Sequence, residues 1–355
     1  APYPIRSKRR ASTIFTKPSR RREFCLHKAR FRTHLAAMTL DESFRHFLDR
    51  FQIPDLAHLD WKSSTDKLRQ QFHVASRAIE RDAPEMADIS HVKVEGAAGP
   101  LKARLYTPLG AGMPPGPGIV FFHGGGFMLG DLDSHDMVCK RLAEGARSRV
   151  IAIDYRLAPE HTFPAAHEDA LAAWNWIITH AEQLGLDPDR LAVSGDSAGG
   201  NLSAYLAQEM NRTGGPRPAF QLLLYPLVQF VDIRTKKMSF QEGGFFISAN
   251  LFEYFRDSYI ADESQRMDVR VSPLFAGPDA FKGLPPAHFV LCGWDPLKDE
   301  GLAYADKMAS FGVPVTVREH AGMVHGFMNM TALSDTVRLA IRDAGHVAGR
   351  ALGAV

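Results

Sequence analysis

Cysteine is scarce in this chain. Cys25, Cys139 and Cys292 are its three among 355 residues. The number is odd and the spacing is wide, which argues against a disulfide framework or a zinc knuckle. That usage fits a reducing, cytoplasmic compartment. No run approaches the roughly 20 apolar residues a membrane span requires, so stable membrane insertion is not expected. Internal repeats and low-complexity tracts are missing from the body of the chain, which argues against a solenoid. Net charge is nearly missing too, with 42 Lys and Arg against 40 Asp and Glu. The balance conceals a split. Residues 1–37 hold eleven bases and a single acid, Glu23, which leaves 31 bases and 39 acids in the remainder, a net of −8. An acidic body is no electrostatic match for nucleic acid. The basic segment has no apolar stretch of the kind a secretory signal carries. An Arg-rich, acid-poor start also suits an organelle transit peptide or a nucleic-acid arm. The favoured expectation is a poorly ordered extension upstream of a start at Met38, because blocks of like charge rarely fold.

What is present is ample core material, 45% of the chain, enough for one large core or two smaller ones. After Met38, Phe44, Phe47, Leu48 and Phe51 form one helical stripe, with Asp41 placed as N-cap and Pro54 beyond the end. Leu68, Phe72, Ala75 and Ile79 repeat that pattern. Two alternating segments, 91–95 and 102–108, then read as a hairpin around Gly96 to Pro100. Six short apolar runs follow: Ile119–Phe122, Val150–Ile153, Leu191–Val193, Gln221–Tyr225, His288–Cys292 and Val315–Val317. They lack alternation, as strands buried on both faces do, and helical stretches separate most of them. The expectation is an α/β fold whose eight-stranded sheet has helices on both sides. About sixty residues separate Tyr225 from His288, far more than an ordinary connection. They read as an insertion over one edge of the sheet.

The chemistry is expected where "RLAVSGDSAGGNLSAYL" passes from strand to helix. Gly195-x-Ser197-x-Gly199 has the spacing of a nucleophile elbow, whose turn is too tight for side chains two residues either side of the serine. No Lys-Ser/Thr follows these glycines, so a Walker-type phosphate loop is excluded. A serine hydroxyl needs a histidine to take its proton and an acid to orient the histidine. Asp295, just past one strand, and His325, just past the last, fit the expected order. Asp299 and Glu300 compete as acids but fall in a first helical turn, where acids act as caps. His320 and His346 compete as bases but sit near a strand and within a final helix. "HGGGF", residues 123–127, follows the third strand, where one oxyanion N–H donor is expected; Ala198 supplies the other. The candidates in that loop are Gly124, Gly125 and Gly126.

Five motifs together resemble the hormone-sensitive-lipase-like branch of the α/β-hydrolases, the bacterial family IV esterases: "HGGGF", "DYRLAPEHTFPAA", "GDSAGGN", "DPLKDEG" and "GMVHGF". They occur in family order between about residues 90 and 330, and "GDSAGG" points to the GDSAG subgroup. The resemblance implies an α/β-hydrolase fold with a mostly parallel sheet and a helical cap. It implies Ser197 as nucleophile, Asp295 as orienting acid and His325 as base, with oxyanion donors at Gly125, Gly126 and Ala198 and Gly124 shaping the turn. The implied organisation is an extension at 1–37, cap helices within 38–85, a catalytic domain at 86–228 and 266–355, and a cap insertion at 229–265. Phe127, Asp196, Phe245 and Phe246 are candidate substrate contacts, and Phe44 and Tyr254 are further bulky candidates for the cap. Phe127 and Met128 are expected to wall the pocket. Arg156 and Glu160 are expected to pair and hold a loop.

The activity implied is hydrolysis of short-to-medium-chain acyl esters, without metal or cofactor, with a small-molecule ester as partner. A homodimer through the last strand and helix is also implied. Two other readings stay open: a small-molecule receptor on the same fold, and an amidase or carbamate hydrolase with the same three residues.

Overall fold

The computed structural model of the chain describes residues 40–50, 61–231, 247 and 249–355. The extension 1–37, Met38, Phe51, Pro54, Phe245 and Phe246 lie outside the described residues. All eight expected strands form: β1 Met86–Gly96, β2 Gly99–Pro108, β3 Gly116–Phe122, β4 Arg149–Asp154, β5 Leu186–Asp196, β6 Phe220–Leu224, β7 Ala287–Trp294 and β8 Val315–Val324. They make one sheet in the order β1-β2-β4-β3-β5-β6-β7-β8. β1 and β2 pair antiparallel, with Gly96 opposite Gly99 at the turn. β2 also runs antiparallel to β4, and β3 to β8 are parallel. Every residue of β3 and of β6 is buried, which is why their sequences show no alternation.

The main helices are α1 Glu42–Arg50, α2 Trp61–Ala78, α3 Asp136–Ala146, α4 Ala165–Thr179, α5 Ala198–Thr213, α6 Ala249–Tyr259, α7 Lys298–Ser310 and α8 Asp335–Ala351. Asp41 caps α1 as expected, its carboxylate accepting the Ser43 N–H at 3.0 Å. The two-residue period of a strand divides the core between the faces of the sheet. Val120 and Val193 point to one face and pack with Trp174 and Ile177 of α4 and Leu202 and Leu206 of α5. Ile119 and Phe121 point to the other and pack with Val138 and Leu142 of α3 and Ile341 and Ala344 of α8. Among the described residues no helix is long and apolar enough to cross a membrane.

Two expectations need correction. Phe44 belongs to the core on the α3/α8 face, with Tyr106 and Phe121, because the apolar stripe of α1 docks there rather than over the ligand end of the sheet. Arg156 does support a loop, but not through Glu160. Its guanidinium grips Asp169 of α4 at 2.8 and 2.9 Å. The Asp169 side chain is wholly buried, and a buried carboxylate demands a cation. The half-exposed Glu160 instead accepts two bonds from Arg69 of α2, at 2.8 and 2.7 Å. Arg69 also donates to the carbonyls of Met128 and Ala158, which ties α2 to the loop after β3.

Candidate active site

Ser197 stands between β5 and α5 with φ 51° and ψ −113°, a strained conformation for a residue with a side chain. The turn around it is too tight for side chains on its flanking glycines. A Cβ on Gly199 would lie 1.8 Å from the Phe122 carbonyl oxygen, and one on Gly195 would lie 2.4 Å from the backbone of Gly199. The Ser197 N–H is held by the Leu224 carbonyl at 2.9 Å.

Asp295 follows β7, and His325 follows β8. Their strands pair through Trp294 and Val324, so both residues emerge side by side. His325 Nε2 lies 2.9 Å from Ser197 Oγ, and Nδ1 lies 2.8 Å from Asp295 Oδ2. Asp295 Oδ1 accepts the Leu297 N–H at 2.8 Å, which fixes the carboxylate. Asp295 and His325 are both buried. The competitors stay away from Ser197. Asp299 and Glu300 start α7, His320 lies within β8 and His346 lies within α8.

The glycine loop separates its three N–H groups. Gly124 donates to Asp196 Oδ1 at 2.8 Å, so it is committed to the loop and is removed from the candidate donors. Gly125, at φ 113°, has its carbonyl engaged by the N–H groups of Met128 and Leu129. The N–H groups of Gly125, Gly126 and Ala198 have no hydrogen-bond partner among the described residues. Ala198 is the first residue of α5, where free N–H groups favour negative charge. His123 braces the loop from behind by stacking on Tyr155 at 4.4 Å, whose O–H donates to the His123 carbonyl. Burial lowers the His123 pKa to about 4, so this ring is neutral.

Ser197, His325, Gly125, Gly126 and Asp196 open on a cavity of about 240 Å³. Its wall is apolar: Phe72 and Ile79 from the α2 region, Phe252 and Phe255 from α6, and Leu227, Phe230, Ile247, Leu297 and Met330. Asp196 lines the cavity, while its carboxylate serves the loop. Phe127 does not line the cavity. Its positive φ of 62° turns the ring into the core, where it stacks on Tyr259 at 4.0 Å. Met128 is likewise core. Tyr254 is not in the wall; its hydroxyl lies 3.2 Å from Thr65 Oγ1. Sequence reasoning noted the Phe72–Ile79 stripe but could not tell cavity wall from core. It missed Phe252 and Phe255, which fall within the insertion, and also Tyr225, whose ring meets His325 edge-on at 5.0 Å. Among the described residues no group of three or more His, Cys, Asp or Glu side chains could hold a metal ion.

Strained serine, imidazole and carboxylate at the C-terminal ends of three strands define a hydrolase of α/β architecture. A family profile described as alpha/beta hydrolase fold matches residues 119–329. The chain belongs to that family, in its hormone-sensitive-lipase-like, family IV branch. It is 42% identical over 273 residues to the carboxylic ester hydrolase LipN of Mycobacterium tuberculosis, covering 73% of this chain and 71% of that one. It is 37% identical to the ethyl acetate hydrolase of Pseudomonas putida, covering 76% and 84%. Among solved structures, the ester-hydrolase EH1AB1 from the metagenome of Lake Arreo, complexed with a bipyridine phosphonate derivative, superposes with a TM-score of 0.83. The identity there is 37%, with 89% of this chain and 100% of that one covered.

Proposed function

We propose that the protein is a serine carboxylesterase acting on short-to-medium-chain acyl esters through an acyl-enzyme. The observation that carries this reading is the unbroken chain from Ser197 Oγ through His325 to Asp295, beside Gly125, Gly126 and Ala198, whose N–H groups have no partner among the described residues. His325 Nε2 takes the hydroxyl proton as Oγ attacks the ester carbonyl carbon. Asp295 holds Nδ1–H and stabilises the imidazolium that forms. The carbonyl oxygen becomes an oxyanion within reach of the Gly125, Gly126 and Ala198 N–H groups. The tetrahedral adduct then collapses. The bond to the alcohol oxygen breaks, and His325 returns its proton to that oxygen. Water attacks the acyl-serine in the same way, with His325 as base, and frees the acid. Chain-length preference rests on the apolar cavity, which at about 240 Å³ falls below the ~300–1,000 Å³ of sites for drug-sized ligands.

Helices α2 and α6 stand over this cavity, which favours the division into cap segments 38–85 and 229–265 around a catalytic domain of 86–228 and 266–355. β8 is the last strand of the sheet order and exposes Val317, which favours a homodimer across that edge. Light scattering that finds a monomer at working concentration rejects the dimer. A fluorophosphonate probe should label the wild type and spare Ser197→Ala; an unlabelled wild type overturns the esterase and leaves a receptor. An acyl-length series of esters with matched amides checks the rest. Equal turnover of the amides, or faster turnover of a long-chain triglyceride than of a butyrate ester, overturns the substrate class.

A further inference from the structure

His135 lies at the N-terminal boundary of α3 and lines the cavity, yet no motif marks it and none of the catalytic steps above uses it. It is buried, with Nδ1 3.0 Å from Ser134 Oγ. With the Ser134 hydroxyl donating to the Asp131 carbonyl 3.0 Å away, Oγ accepts from the ring and Nδ1 carries a proton. Nε2 lies 3.4 Å from Asp196 Oδ1 and 3.2 Å from Asn329 Nδ2. Asp196 is itself buried, and apart from His135 the Gly124 N–H is its one hydrogen-bond partner among the described residues. A carboxylate so placed is costly unless a cation faces it. Asn329 supplies an independent sign, since its Oδ1 is buried without a partner among the described residues. The two ends of a carboxamide have nearly the same shape, so the network decides their placement. Turned end for end, Asn329 offers Oδ1 to an Nε2–H. With a proton on Nδ1 as well, that arrangement is the one an imidazolium makes.

The geometry points to His135 as a positively charged positioning residue: its imidazolium pairs with Asp196, and Asp196 thereby holds the Gly124 N–H and sets the aim of the Gly125 and Gly126 N–H groups. This inference rests on the esterase reading for its effect on turnover, though the charge itself does not. The groups facing His135 are Asp196 at the end of β5, His123 and Asp131 in the loop after β3, Glu80 beyond α2 and Asp136 on its own helix. Burial alone would lower the His135 pKa, but Asp196, then Asp131 and Glu80, outweigh it and raise it. The clamp is therefore present below that raised value and is lost as pH rises through it. Turnover should carry an alkaline limb that belongs to His135.

The test is imidazole nitrogen NMR of the full-length protein labelled with ¹⁵N-histidine, with the His135 signals assigned by their loss in His135→Gln. Wild-type His135 should show two protonated nitrogens at neutral pH and lose a proton only on the alkaline side. His135→Gln should lower kcat by ~10–10²-fold, leave KM within about two-fold and abolish the alkaline limb. A neutral His135 at pH 7 overturns the proposal, as does a variant that keeps both kcat and the limb. If His135→Gln does not fold, single-residue reassignment in the wild type still decides the charge. A wild type that resists fluorophosphonate overturns the esterase reading and leaves the charge pair standing.

Discussion

Gly125 and Gly126 offer the sharpest trial of the oxyanion loop, because alanine should fail differently at each. At Gly125 the φ of 113° lies outside the left-handed helical region, and a Cβ would meet the Leu129 carbonyl oxygen at 2.3 Å. That oxygen is backbone and cannot swing aside, so the loop itself must move and carry its N–H off target. Losing one oxyanion donor lowers kcat by ~10²–10³-fold, about 2.7–4 kcal/mol. The same clash adds to a backbone penalty of about 1–2 kcal/mol for a side chain at positive φ, so stability also suffers. Gly126 differs on both counts. Its φ of 62° is an ordinary left-handed value, and its Cβ would meet the Phe255 ring at 2.5 Å. Cγ is among the atoms met, and ring rotation leaves it in place, so the Phe255 side chain must swing about its Cα–Cβ bond or α6 must shift. Gly126→Ala should therefore cost about 1–2 kcal/mol of stability and shift selectivity among acyl chains, because Phe255 walls the cavity. The assays are kcat and KM on acetate, butyrate and hexanoate esters, with thermal melts of each variant. Gly125→Ala that keeps kcat within about three-fold of wild type would refute the argument that this loop aims a donor.

Other outcomes follow from the same geometry. Asp295→Asn keeps the shape but permits the wrong imidazole tautomer; kcat should fall by up to ~10⁴-fold with little change in KM, and a loss under ten-fold would contradict the assigned role. Phe230→Ala enlarges the wall of the cavity and should raise the relative kcat/KM of longer acyl chains, with a stability cost of about 3–5 kcal/mol; a length profile unchanged from wild type would count against this cavity as the acyl site. Burial, then Asp136, pushes the Glu80 carboxyl up to about 7. A carboxyl raised on folding favours the folded state at low pH, and that advantage is lost as pH rises from its ordinary value of 4.5 through about 7. Glu80→Gln should thus raise the melting temperature at alkaline pH and not at pH 4, as scanning calorimetry at both would show.

Much of this protein was determined locally, and local features are what a sequence displays. The central strands followed from unbroken apolar runs, because a strand buried on both faces tolerates little else, whereas β8, also read as such a run, is an edge strand left largely exposed. The elbow followed from two glycines that sterics impose on a turn this tight. The choice of Asp295 and His325 followed from chain order. What tertiary structure alone decided was which partner a group meets. Gly124, Gly125 and Gly126 are equivalent in the sequence, and only the approach of Asp196 from β5 removes Gly124 from the donors. Arg156 chose Asp169 over Glu160 because one carboxylate is buried and the other is not. Phe127, adjacent to the glycines, turned into the core, while Phe72 and Phe255, distant in the chain, became the wall. His135 carried no motif at all. Its place beside Asp196 comes from the packing of β3, β5 and α3, and a charge pair made across three elements leaves no mark on any one of them.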